Sequence, residues 1–149
     1  MTKAEAIRDF LSQRKLAVAG ASRSALGFGA MALKQLRGQG YQVYAVNPRA
    51  AEVCGQPCYR GLAALPEPVD GVFVAVPRAA CESVVREAAA AGIRRVWIQQ
   101  GCDTPEALEF CAASGITVVA KECILMFVAP RGFHRFHRWV WGILGRLPV

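Results

Sequence analysis

No uninterrupted apolar run in this chain reaches the eighteen or so residues that a membrane span needs, although 54% of its 149 residues are hydrophobic. The N-terminus carries Glu5 and Asp9 in an amphipathic pattern where an export signal would have an apolar core, so a cytoplasmic protein is expected. Histidine is scarce, with His134 and His137 the only two. They stand three apart, with no carboxylate or cysteine nearby to complete a metal set, and read as surface histidines. The six cysteines, at 54, 58, 81, 102, 111 and 123, follow no regular framework and read as small core hydrophobes. Cys54 and Cys58 make a C-x3-C pair, but no second ligand pair follows at finger-like spacing. No internal repeat is visible. The length suits one domain with its own core and leaves no room for a second catalytic one.

The most telling absence is an acid. Leu16-Ala17-Val18-Ala19-Gly20-Ala21-Ser22-Arg23 reads as an apolar strand ending in a glycine turn, followed by Gly27 and Gly29 at the start of a helical pattern. A parallel strand, a tight turn of small residues and a helix N-terminus together form a cradle for a nucleotide phosphate. A dinucleotide site for NAD carries Asp or Glu at the end of the following strand, where it accepts bonds from the ribose hydroxyls. Here Val43-Tyr44-Ala45-Val46 runs into Asn47, Pro48 and Arg49. A guanidinium binds phosphate oxygens bidentately where a carboxylate repels them. The residues thus point to a phosphoadenosine ligand and leave coenzyme A and NADP both open.

Periodicity predicts helices over 2–13, 29–38, 78–91 and 105–114, and strands over 15–20, 42–46, 71–76, 95–99 and 117–120. Thr2 with Glu5 forms a capping box, and Thr104-Pro105 an N-cap followed by a first-turn proline. Gly38 or Gly40, Gly92 and Gly115 are the helix stops. The stretch 52–68 is loop-rich, with one helical turn at 62–65. Alternating strands and helices imply an α/β, Rossmann-like, doubly wound parallel sheet of about five strands with helices on both faces, its ligand at the C-terminal strand edges.

These residues resemble the CoA-binding domain proteins related to the N-terminal domain of the succinyl-CoA synthetase alpha subunit. The likeness runs from Lys15 to Cys123 through Val18-Ala19-Gly20-Ala21-Ser22, Gly40-Tyr41, Val46-Asn47-Pro48-Arg49, Gly55-Gln56-Pro57-Cys58-Tyr59, Leu65-Pro66 with Val69-Asp70, and Val96-Trp97-Ile98-Gln99-Gln100-Gly101. The resemblance implies that Gly20, Ser22 and Arg23 cradle the CoA pyrophosphate. It further implies that Val46, Pro48 and Arg49 line the adenine and 3′-phosphate end, and that Val76-Pro77 and Gln100-Gly101 flank the ligand from the third and fourth strands. The chain departs from the family pattern at Lys121-Glu122-Cys123 and at Val76-Pro77-Arg78.

Each of these residues also has a plainer role to set beside the binding one. Gly20 suits any tight turn and Ser22 any local cap; Arg49 fits a solvated loop; Trp97 fits core packing, and Cys123 a buried thiol. No nucleophile, base or metal set emerges. The expected activity is binding of CoA or an acyl-CoA by a non-enzymatic sensor, carrier or accessory subunit, with a small NADP-dependent oxidoreductase or NADP-binding regulator as the alternative.

The domain is placed at 1–123 and a separate C-terminal helix at 124–149. In that helix Phe133, Phe136, Val140, Ile143, Leu144 and Leu147 share a stripe, opposite Arg135, Arg138 and Arg146, with Trp139 and Trp141 at its edges. Residues 121–149 carry four of the seven net positive charges. This helix is expected on the domain or across a homodimer interface, with contact at a membrane surface as the alternative. Scattered arginines without a reading module give no reason to expect nucleic acid.

Overall fold

The computed structural model describes residues 1–22 and 27–128. Its chain order is α1 (Lys3–Leu11), β1 (Lys15–Ala19), α2 (Phe28–Gly38), β2 (Gln42–Val46), β3 (Glu52–Val53), β4 (Gln56–Tyr59), a 3₁₀ turn (Leu62–Ala64), β5 (Gly71–Val74), α3 (Arg78–Ala90), β6 (Arg95–Gln99), α4 (Pro105–Ala113), β7 (Thr117–Glu122) and α5 (Leu125–Val128). Both expected caps are present: the Thr2 hydroxyl accepts from the Glu5 amide at 3.1 Å in a full capping box, and the Thr104 hydroxyl accepts from the Ala107 amide at 3.2 Å.

One seven-stranded sheet has the order β3-β4-β2-β1-β5-β6-β7. Every neighbouring pair is parallel except β3–β4, which is antiparallel. The side-chain period of a strand sends alternate residues to opposite faces, and β1 divides accordingly. Leu16 and Val18 join Phe10 of α1, Leu33 and Leu36 of α2, and Phe73 and Trp97. Ala17 and Ala19 join Cys81, Val85 and Ala88 of α3, Cys111 of α4, and Val72, Val96 and Ile98. The doubly wound sheet with helices on both faces follows from that division.

The sheet is wider than the five strands expected. Within the stretch read as loop, Glu52–Val53 and Gln56–Tyr59 form a short hairpin that extends the sheet beyond β2. Its turn places Cys54 at φ 52° and Gly55 at φ 74°, the left-handed pair that matches strand twist in a two-residue loop. Strands of two and four residues, interrupted by a glycine and a proline, are too short to show periodicity. β1 and β5 stop at Ala19 and Val74, one and two residues short of the reading, while β7 runs two further to Glu122. Ile124 and Val128, beyond the expected boundary at 123, are buried with Ile7, Phe10 and Trp97. The stripe predicted for the C-terminal helix, its arginines and tryptophans, and His134 and His137 lie outside the described residues.

Candidate functional site

Three strands end at one place. β1 turns at Gly20, β2 passes into Asn47, and β5 passes into Ala75 and Val76. The Gly20 amide donates to the Val46 carbonyl at 3.0 Å, and the Ala75 amide to the Ala19 carbonyl at 2.9 Å. Gly20 has φ +94°, and a Cβ built on it would lie 2.0 Å from the Ala75 carbonyl oxygen. A side chain is excluded twice over here, by the left-handed backbone and by the neighbouring turn.

Asn47 braces the second strand end against the first. Its Nδ2 donates to the Ala21 carbonyl at 2.8 Å, while its Oδ1 accepts from the Arg49 amide at 2.8 Å. Both ends of the side-chain amide are thereby engaged, and Arg49 is projected from the small turn they close. The Asn47 amide in turn donates to the Tyr59 carbonyl at 2.8 Å, which draws the end of β4, and with it Arg60, to the same edge.

These ends form one wall of a cleft of about 520 Å³. The other wall is α3, which presents Ala80, Ser83, Val84 and Glu87, spaced three and four residues apart on one helical face. The opposite face of α3, with Cys81, Val85 and Ala88, is buried on the sheet. The cleft thus offers two guanidinium groups (Arg49, Arg60), two hydroxyls (Ser22, Ser83), one carboxylate (Glu87) and apolar surface from Val46, Val76 and Val84. Helix α2 begins nearby with Gly27 as N-cap; among the described residues no side chain caps it, and its first turn holds no acid. The positive dipole end of such a terminus favours an anion.

Of the residues singled out in the sequence, Gly20, Ser22, Val46, Asn47, Pro48, Arg49, Val76 and Pro77 line this cleft together. Gly29 does not line it, lying instead directly beneath Gly20. Gln100 and Gly101 sit at the end of β6, where the Gln100 amide donates to the Glu122 carbonyl at 3.2 Å and Gly101 turns at φ +89°. Arg23 lies outside the described residues. Arg60, Ser83 and Glu87 were missed. The α3 residues carried a signal, because positions 80, 84 and 87 continue the face begun at Pro77. Arg60 carried none, since only the strand pairing of β4 brings it to the edge.

Three of the thiols, Cys81, Cys102 and Cys111, are poorly suited to nucleophilic work. Burial, reinforced by the neighbouring Cys102, Cys111 and Asp103, pushes Cys81 up to about 11, and burial alone pushes Cys111 to about 11. Cys102 is also raised, by burial and by Asp103. Cys123 accepts a hydrogen bond from the Gln99 amide Nε2 at 3.2 Å, at a buried side chain whose Oε1 accepts from the Ile124 amide at 3.1 Å. Trp97 is fully buried, its Nε1 donating to the Glu122 carbonyl at 3.2 Å. Among the described residues no group of three or more His, Cys, Asp or Glu side chains is placed to hold a metal, and no helix is long and apolar enough to cross a membrane.

Comparison with known proteins finds relatives over most of this chain. The model of the CoA binding domain family matches residues 14–129. The acetate–CoA ligase (ADP-forming) I of Archaeoglobus fulgidus is 31% identical over 121 residues, which cover 74% of this chain and 18% of that protein. Among solved structures, a conserved hypothetical protein from Pyrococcus furiosus is 34% identical with a TM-score of 0.72, covering 76% of this chain and 97% of its own. A Thermus thermophilus protein is 32% identical with a TM-score of 0.76, covering 92% and 99%. The chain therefore spans less than a fifth of that curated ligase and nearly the whole of these two smaller proteins.

Proposed function

The chain belongs to the CoA-binding domain family, and on that premise we propose that it binds coenzyme A or an acyl-CoA in the cleft between the strand ends and α3. The observation that carries this reading is the convergence of Arg49 and Arg60 on one cleft with the Gly20 turn, at a strand end that holds an amide, not an acid. Paired guanidiniums bind a terminal phosphate monoester through charge-assisted, bidentate bonds. In this reading Gly20, Ser22 and the start of α2 hold the pyrophosphate. Arg49 and Arg60 hold the 3′-phosphate. Val46 and Pro48 contact the adenosine, Val76 and Pro77 flank the ligand where α3 begins, and the pantetheine arm leaves past Gln100 and Gly101. Asn47 acts as a positioning residue, since both ends of its side chain are already bonded within the protein.

The protein's part is binding and presentation of the thioester carrier, as a sensor, a carrier or an accessory subunit. The likeness to an acetate–CoA ligase favours the subunit role, in which another polypeptide supplies the acyl and phosphoryl chemistry. Calorimetric titration with CoA, with NADP in parallel, tests the assignment. Micromolar binding of CoA with NADP silent is expected; silence with CoA, or a preference for NADP, overturns it.

A further inference from the structure

We propose that the carboxylate of Glu87 reads the adenine of the ligand, accepting a hydrogen bond from its exocyclic amine; this deepens the CoA reading and rests on it. Glu87 lines the same cleft as Gly20, Ser22 and Arg49. Its two carboxylate oxygens lie 3.7 and 3.8 Å from where a Cβ on Gly61 would stand, which sets the group against the chain leaving β4, across the cleft. Among the described residues Glu87 makes no ion pair, although Arg60 lines the same cleft.

A carboxylate in an anion-binding cleft needs a reason. It accepts hydrogen bonds and donates none, and it repels phosphate. The phosphoadenosine half of CoA offers donors at only two places, the ribose 2′-hydroxyl and the exocyclic amine of the base, while the amide and hydroxyl donors of the pantetheine arm lie on the other side of the pyrophosphate. Position along α3 separates these. The cradle lies at Gly20, beside Ala75 and Val76, where α3 starts, and Glu87 is ~15 Å further along the helix axis from Pro77 at 1.5 Å per residue. The pyrophosphate carries the ribose on one side and the pantetheine arm on the other; with the arm leaving past Gln100 on the β6 side, the end of the cleft beside Gly61, on the β4 side, belongs to the base. Ala80 and Val84, between the two ends, give an aromatic ring an apolar bed.

The test compares CoA with 1,N6-etheno-CoA, whose added ring removes the donor edge of the adenine, on the wild-type protein and on Glu87→Leu, which keeps the size of the side chain and removes the acceptor. The wild type is expected to prefer CoA by about tenfold, the lower end for a charge-assisted bond because Glu87 is solvent-exposed. In Glu87→Leu the ratio should fall to near one, through weaker CoA binding with the etheno ligand little changed. Glu87→Gln, which retains an oxygen acceptor, should recover part of the preference. An unchanged ratio in Glu87→Leu overturns the proposal, as does equal weakening of both ligands, which would mean that the carboxylate acts through Arg60. Failure of the wild type to bind either ligand would instead overturn the CoA reading, and this assignment with it.

Discussion

Gly29, in the first turn of α2, lies so close under the Gly20 turn that a Cβ built on it would stand 2.4 Å from the Gly20 carbonyl oxygen and 2.9 Å from the Ala21 Cα. Both contacts are to backbone, which has no rotamer to retreat into. Gly29→Ala must therefore push α2 away from β1, at a cost of about 1–3 kcal/mol typical of overpacking. Gly38, at the other end of the same helix, has open space around its Cβ position. There Gly38→Ala, at the last helical position, should gain up to about 0.5 kcal/mol from helix propensity, the low end of the value for a helix interior. Urea denaturation of the two variants should move in opposite directions, and only Gly29→Ala should lose CoA binding.

Arg49→Ala should weaken CoA more than dephospho-CoA, because the contact removed is to the 3′-phosphate. A charge-assisted bond of about 1.5–3 kcal/mol corresponds to roughly ten- to a hundredfold in affinity. Titration of both ligands checks this, and equal losses would remove Arg49 from the phosphate site.

Asn47→Ala should behave differently. The side chain joins the turns after β1 and β2 through two hydrogen bonds of 2.8 Å each, so its loss costs about 1–3 kcal/mol of stability. CoA and dephospho-CoA should weaken together, since both strand ends loosen while no phosphate contact is specifically removed. Thermal unfolding and paired titrations separate this pattern from that of Arg49→Ala.

Thiol chemistry supplies a prediction in pH. Cys81 and Cys111 are fully buried and raised from 9.0 to about 11, whereas Cys54 is exposed on the hairpin turn. A disulfide reagent at pH 8 should label Cys54 quickly and leave Cys81 and Cys111 unlabelled until the chain unfolds. A thiol whose folded pKa exceeds its unfolded one keeps its proton longer when folded. The stabilisation from these two is complete below about pH 9 and is lost as pH rises towards about 11. Denaturation midpoints measured from pH 8 to 11 should fall, and the fall should shrink in Cys81→Ala.

What could be read from the sequence was whatever repeats at short range. The helix ends declared themselves through Thr2, Thr104 and the glycines at 40, 92 and 115, all three of which have positive φ. The five longer strands declared themselves through runs of Val, Ile and Ala. Trp97 was expected in the core and is there, stacked edge-on between Phe10 at 5.6 Å and Phe127 at 5.5 Å. The β3–β4 hairpin escaped, because its ladder is set by Ala45 and Val46 pairing with Cys58 and Tyr59, a relationship between strands that no local pattern encodes. The same gap explains the site. Gly20, Ser22, Asn47 and Arg49 follow strands that periodicity finds, whereas Arg60 reaches the cleft only through that pairing. Glu87 reaches it only because α3 crosses back over the sheet.

The strand order also governs when the cleft can come into being as the chain leaves the ribosome. β1 is flanked by β2 and β5, so its second neighbour is complete only at Val74, and the facing helix only at Ala90. A nascent chain ending at Asp70 already contains the glycine turn and Arg49. It lacks the Ala75 carbonyl against which Gly20 packs and the whole α3 wall. Ligand can therefore meet a finished site only after Ala90 has emerged, and it can assist only the later stages of folding of this domain.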